Sequence, residues 1–176
     1  MRKIFAFAFL TVLLVSCGQK VAYTDALKEQ FDLSAENLTK IQFFTSSQII
    51  MERNKESGNQ TTGTDGALVV NSSKVQDRII IPTNTKCVFE KVGTNNEIMV
   101  RFEVGTGKIL KFAVRPTQTN GRYYLVADWK NNVGTLEYGN ETYTLASGAS
   151  GAYLQVVMRK LQKTKRKDRI VRGMKV

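Results

Sequence analysis

The sequence predicts an all-β fold, an antiparallel barrel or small sandwich with a short N-terminal helix and a basic C-terminal tail. From residue 67 onward, short apolar runs recur every 8–12 residues, separated by Gly, Asn and Pro, a spacing typical of all-β domains. No stretch of residues 67–150 sustains a 3.6-residue apolar period over a dozen positions, so no long helix is expected there. Many runs alternate apolar and polar residues, as strands with one buried and one wet face do.

The alternation is clearest between residues 97 and 128, and it defines a predicted core. The expected core residues are Val88, Ile98, Val100, Phe102, Leu110, Phe112, Leu125 and Leu136. Cys87 lies in a similar alternating run and is expected to be a small buried apolar residue.

The other elements are assigned from cap and turn signals. Ser34 is placed to cap a short helix, and Ala26–Phe31 has the length of one or two further helical turns. The polar, Gly-punctuated stretch Asn54–Gly66 predicts a solvated loop. Ala152–Gln162 predicts the last strand.

The run Ile79-Ile80-Ile81-Pro82-Thr83-Asn84-Thr85 is followed by two predicted hairpin strands that end at Val104. This arrangement resembles the small SH3-like barrels of bacterial envelope modules, in which an I-P-x-x-T turn precedes two hairpin strands. The resemblance, taken over residues 79–146, implies an SH3-like barrel in place of a generic sandwich and implies no catalytic residue.

The first residues of the chain determine its compartment. Arg2 and Lys3 precede an uninterrupted apolar run from Ile4 to Val15. Its twelve residues, at a helical rise of about 1.5 Å each, cannot cross a hydrocarbon core of about 30 Å. The run is therefore expected to be the apolar region of a signal peptide and not a membrane span.

Leu14-Val15-Ser16-Cys17-Gly18 resembles the lipobox of bacterial lipoproteins. The resemblance implies a diacylglyceryl group on the sulfur of Cys17, cleavage between Ser16 and Cys17, and a fatty acyl chain such as palmitate on the new amino group. Gly18 replaces the Asp that retains many such proteins at the inner membrane, which favours the periplasmic side of the outer membrane. The alternative is an ordinary secretory signal with a chance Cys.

Charge is concentrated at the C-terminus. The net charge is +11, of which residues 159–176 carry +8 and residues 17–158 only +1. The predicted organisation is a signal peptide (1–16), a lipid-anchored tether (17–33), a β-domain (34–162) and a basic tail (163–176).

Several chemistries are excluded by composition. The chain has no His and only two Cys, which removes His-containing zinc sites, Ser/His triads and Cys/His dyads. With Cys17 lipidated, Cys87 has no disulfide partner within the chain. Gly105–Lys108 lacks the earlier Gly and the following Ser/Thr of a phosphate-binding loop, so a hairpin turn explains it better. We expect no metal, no cofactor and no enzymatic activity.

Two sets of residues are candidates for binding. Aromatic residues in the second half suggest a sugar- or peptide-binding face: Tyr123, Trp129, Tyr138 and Tyr143. The alternative is that these rings fill strand ends and keep a polar tip in water. In the tail, the candidate contacts to an anionic partner are Lys163, Lys165, Arg166, Lys167, Arg169 and Arg172.

Three interpretations of the tail stay open at this point: a solvated terminus, an electrostatic contact with anionic lipid or cell-wall polymer, and a peptide that docks on a partner. Nucleic acid is disfavoured by the compartment. The sequence thus predicts a lipid-anchored envelope protein, held to membrane lipid through Cys17, that acts as a non-enzymatic assembly or interaction module of a larger envelope complex. A peptidoglycan- or glycan-binding module is the alternative.

Overall fold

The computed structural model describes residues 18–62, 68–131, 133–165 and 173–174, with residues 55–62, 68–75 and 162–165 described by their backbone. Within these residues, two antiparallel sheets form the bulk of the protein. They are accompanied by three short helices, α1 (Asp25–Gln30), α2 (Ala35–Leu38) and α3 (Met158–Lys165), and by a 3-10 turn over Ala149–Gly151. The predicted all-β class is confirmed.

The first sheet contains seven strands. In spatial order they are β1 (Lys20–Ala22), β12 (Leu154–Val157), β2 (Gln42–Thr45), β5 (Lys86–Val92), β6 (Ile98–Arg101), β7 (Ile109–Val114) and β8 (Tyr123–Leu125). Two isolated bridges, Thr24 to Arg122 and Tyr124 to Tyr153, join β8 to the chain beside β1 and β12. The ends of this curled sheet therefore meet, but without a continuous ladder among the described residues the sheet is not a closed barrel.

The second sheet contains five strands. In spatial order they are β4 (Leu68–Ile81), β3 (Ile49–Thr62), β11 (Glu141–Leu145), β10 (Val133–Tyr138) and β9 (Asp128–Lys130). The ladder between β11 and β3 has only two residue pairs, at Met51 and Glu52. The rest of β3 is flanked by β4 alone within the described chain.

The hairpin of β3 and β4 corrects the loop predicted over Asn54–Gly66. Its register runs without interruption through fourteen pairs, from Ile49 with Ile81 to Thr62 with Leu68, and only residues 63–66 of the predicted loop lie outside the described chain. Residues 54–62 contain no apolar residue, yet the backbone ladder pairs each of them with a residue of β4. A strand without apolar residues shows no hydrophobic alternation, which is the main sequence signal for a strand.

The core forms a single cluster of buried side chains that runs along the chain from Tyr23 to Leu161. The predicted core residues that are fully buried are Ile98, Val100, Leu110, Phe112 and Leu125, and Phe102 and Leu136 pack partly buried against them. Val88 contradicts the prediction, since 52% of it is exposed. Cys87 is buried as predicted, and successive residues of a strand point to opposite faces, so Val88 must point outward.

The N-terminal part of the β-domain begins earlier than predicted. β1 pairs with β12, and Tyr23, Phe31 and Leu33 are all buried. Residues 20–33 of the predicted tether therefore belong to the folded body, and of the described chain only Gly18 and Gln19 precede β1. Both predicted helical segments are present, and the first, α1, is capped by Thr24, whose hydroxyl accepts from the backbone N–H of Leu27 at 3.2 Å.

The C-terminal boundary is corrected as well. The strand predicted over Ala152–Gln162 ends at Val157, and α3 follows at once and continues to Lys165, past the predicted start of the tail. Leu161 on this helix has no exposed surface. Leu161 therefore packs the start of α3 against the core, and the helical backbone continues into the predicted tail.

Candidate functional site

The end of the body nearest Cys17, which we call the anchor end, is formed by the first described residues and by the junction between β12 and α3. Lys20 pairs with Val157, and the backbone N–H of Met158 donates to the carbonyl of Gln19 at 3.4 Å. A Cβ at Gly18 would lie 2.6 Å from Cγ1 of Val157. The chain is thus held against the end of β12 from Gly18 onward, one residue after Cys17.

Helix α3 begins at this same place and has two different faces. Met158 packs partly buried against the core and Leu161 is fully buried, whereas Arg159 and Lys160 are exposed. At about 100° per residue, position 163 falls on the same side as Arg159 and Lys160, opposite Leu161. The helix has no acidic residue, so the side turned away from the core is cationic.

Lys20 is near the anchor end in sequence, but its side chain contacts other parts of the body. Its ammonium lies 4.3 Å from the centroid of the Phe44 ring and donates to Oδ1 of Asn84 at 3.0 Å. These contacts hold the side chain over β2 and the turn that precedes β5. Lys20 belongs to β1 and lies against β2, so it is not part of the cationic face of α3.

The predicted aromatic face is corrected by burial. Tyr123 is 1%, Tyr138 2% and Tyr143 5% exposed, whereas Trp129 is 37% exposed. Of the four candidates only Trp129 offers a ring to solvent. That ring packs over Gly134, where a Cβ would lie 2.6 Å from it, so the absence of a side chain at Gly134 makes room for the indole.

Each of the three buried tyrosines instead donates its hydroxyl to a carboxylate. Tyr123 donates to Asp25 at 2.6 Å, Tyr138 to Glu103 at 3.0 Å and Tyr143 to Asp77 at 3.3 Å. Burial, followed by the carboxylate hydrogen bond, raises the pKa of the Tyr123 and Tyr138 hydroxyls. The rings stay neutral donors that tie surface carboxylates to the core, in line with the structural alternative considered for them.

A cation–aromatic cluster that the sequence did not reveal closes the seam where the ends of the first sheet meet. Arg115 lies 4.6 Å from the ring centroid of Tyr124, and Arg122 lies 5.0 Å from that of Tyr153. The two rings meet edge to face at 5.7 Å. Because guanidinium groups already cover these rings, the cluster stabilises the seam and leaves little aromatic surface for a ligand.

A groove of about 470 Å³ separates the two sheets beside β9 and β10. Lys91 and Lys111 line it from the first sheet, and Asp128 and Glu137 line it from the second. All four charged residues are exposed, and Asp128 forms an ion pair with Lys130 at 3.4 Å. Because the groove presents exposed charges of both signs, its charge does not indicate which kind of ligand it would bind.

The thiol of Cys87 is 2% exposed and forms no disulfide. Burial raises its pKa to about 12, so it is almost entirely protonated at neutral pH and unreactive.

Two other kinds of site are absent from the described ranges. In them, no three His, Cys, Asp or Glu side chains lie close enough together to hold a metal ion. No helix there is both long and apolar enough to span a bilayer.

The remaining residues predicted to be lipidated, cleaved or bound to an anionic partner are only partly described by the structure. Lys163 and Lys165 lie in α3. Ser16 and Cys17, together with Arg166, Lys167, Arg169 and Arg172, lie outside the described residues.

Comparison with known proteins adds no assignment, since no family model, no curated protein and no solved structure matches the chain significantly.

Proposed function

We propose that the protein is a lipid-anchored component of the bacterial cell envelope that acts as a non-enzymatic assembly or interaction module. The lipobox at Leu14–Gly18 carries the proposal. The fold supports it, because the ordered body starts immediately after the point at which Cys17 would be attached to lipid. Gly18 already packs against Val157, so the body would sit directly on the membrane.

The proposed location is the periplasmic side of the outer membrane, because Gly18 follows the lipidated Cys where inner-membrane lipoproteins often carry Asp. Several buried acyl chains, at about 0.8 kcal/mol per CH₂, would make the anchor effectively permanent.

The hairpin of β3 and β4 supports the assembly role. β4 is the last strand of its sheet, so its outer edge of fourteen residues has no strand partner in the described chain. Proteins usually protect such edges with prolines, bulges or short strands. β4 has an unbroken register and no Pro within it, which suits an element that pairs with another envelope protein.

Metabolic labelling with an alkyne analogue of palmitate tests the anchor. Cys17→Ala should abolish the label and leave an uncut precursor, whereas Cys87→Ala, the matched cysteine control, should keep full labelling. Label that persists on Cys17→Ala would overturn the proposal.

Photocrosslinking in intact cells tests the assembly role. A photoreactive residue at Gln76, an exposed position of β4, should yield a discrete crosslinked partner, and the same residue at the exposed Lys91 should not. Purification from membranes in gentle detergent that recovers the protein without any partner, and without a Gln76 adduct, would count against a role in assembly.

A further inference from the structure

We propose that the cationic face of α3 binds the headgroups of anionic phospholipids in the leaflet that holds Cys17. The inference deepens the proposed function and rests on it for the position of the membrane. The contact would fix the orientation of the body relative to the bilayer, in addition to strengthening its attachment.

The first step is distance. Gln19 lies two positions after Cys17, and an extended chain covers at most about 3.6 Å per residue. The Cα of Gln19 therefore lies within about 7 Å of the Cα of a lipidated Cys17. The hydrogen bond from Met158 to Gln19 places the first residue of α3 next to this point. The start of the helix is thus held at headgroup level in any orientation of the body.

The second step is the fixed rotation of the helix. Leu161 is fully buried and Met158 is partly buried, so α3 cannot turn its opposite side inward without exposing Leu161. That opposite side carries Arg159, Lys160 and position 163. A helix of eight residues is about 12 Å long, which keeps all three positions near the membrane.

The third step is charge. The α3 sequence contains four cations and no acid, whereas residues 17–158 have a net charge of only +1. A Lys or Arg close to an anionic bilayer contributes about fivefold to binding, and the effect decays within a Debye length of about 8 Å at physiological ionic strength. The leaflet that holds the acyl chains of Cys17 is the anionic surface within that distance. We therefore favour phospholipid over a nucleic acid or a more distant polymer.

A form of the protein exported without the lipobox, so that its mature chain begins at Gly18, separates this proposal from lipidation. All buried core residues of the described chain lie between Tyr23 and Leu161, so this form keeps the whole core. In a flotation assay it should bind vesicles of phosphatidylcholine mixed with phosphatidylglycerol, and it should not bind phosphatidylcholine alone. Raising the ionic strength from about 0.1 M to about 1 M shortens the Debye length from about 10 Å to about 3 Å and should release it.

Two charge-matched variants locate the contact. Arg159→Gln with Lys160→Gln should weaken binding by about 25-fold, the product of two cations at about fivefold each. Lys91→Gln with Lys111→Gln removes the same charge from the groove between the sheets and should change binding less than twofold. Circular dichroism and the thermal midpoint check that both variants are folded.

Three outcomes would overturn the proposal: equal binding to both kinds of vesicle, equal losses in the two variants, or binding to purified sacculi or DNA that exceeds binding to anionic vesicles. None of them depends on lipidation, since this form has no Cys17. Conversely, loss of the palmitate label from Cys17→Ala together with equal vesicle binding would keep the anchor and reject the headgroup contact.

Discussion

The burial of Leu161 allows a quantitative test of the C-terminal architecture. Its side chain has no exposed surface, and it packs α3 against the core. Replacing a fully buried Leu by Ala removes apolar contacts and leaves a cavity, at a cost of about 2–5 kcal/mol. In a domain of about this size, each kcal/mol lowers the midpoint of thermal unfolding by about 2–4 °C. Leu161→Ala, at about 3 kcal/mol, should therefore lower the midpoint by about 6–12 °C.

Urea titration followed by far-ultraviolet circular dichroism and by the fluorescence of Trp129 measures the free energy of unfolding. Lys160→Ala, at the neighbouring exposed position, is the matched control and should change that free energy by less than about 0.5 kcal/mol. Deletion of residues 163–176 keeps Leu161 in place and should also cost far less than Leu161→Ala. If Leu161→Ala behaves like Lys160→Ala, the reasoning that α3 is packed structure is refuted.

Three further predictions follow from single contacts. Because Cys87 is buried with a raised pKa, the mature form with the proposed lipid on Cys17 should show no thiol reactive with a water-soluble disulfide reagent until it is denatured, when one appears; a reactive thiol in the native protein would contradict either lipidation of Cys17 or the burial of Cys87. Arg101 holds Glu90 through two hydrogen bonds of 2.9 and 2.8 Å and lowers its pKa, so this pair stabilises the fold above the unfolded pKa of about 4.3 and loses its contribution as the pH falls through the lower folded value. Glu90→Gln should therefore make the urea midpoint fall less steeply on acidification, and identical slopes would contradict the assignment. Gly134→Ala should displace the only indole of the chain, which packs over Gly134, and shift the Trp129 emission maximum to longer wavelength; an unchanged maximum would contradict the packing.

The middle of the fold could be predicted because its strands carry their own evidence. In β6 and β7, alternation alone identified Ile98, Val100, Leu110 and Phe112 as core, and all four are buried. Each of these strands has one buried and one solvated face, so the alternation in its sequence shows which side chains face the core. Cys87 and Val88 are neighbours on one strand, so only one of them can face the core, and it is Cys87.

Elements stabilised by distant partners could not be predicted in the same way. β1 contains three residues, too few to show a period, and it is a strand because β12 pairs with it from the other end of the chain. The burial of the tyrosines could not be predicted for a related reason. Tyr123 and its partner Asp25 are 98 residues apart, and nothing local to Tyr123 distinguishes a buried ring with a satisfied hydroxyl from an exposed one.

The antiparallel pairing of β1 with β12 also changes the meaning of the basic tail. In sequence, Cys17 and the cations lie at opposite ends; in the fold, Lys20 pairs with Val157, and the cationic helix starts beside Gln19. The opposite end of β12 pairs with β2 at Leu154 and Thr45, about 10 Å away at the rise of a strand. The chain passes from Thr45 directly toward β3, whose hairpin partner β4 has an outer edge without a strand partner in the described chain. The root of that hairpin therefore lies at the end of β12 opposite the anchor end, so under the proposed membrane attachment it would stay open to a partner protein.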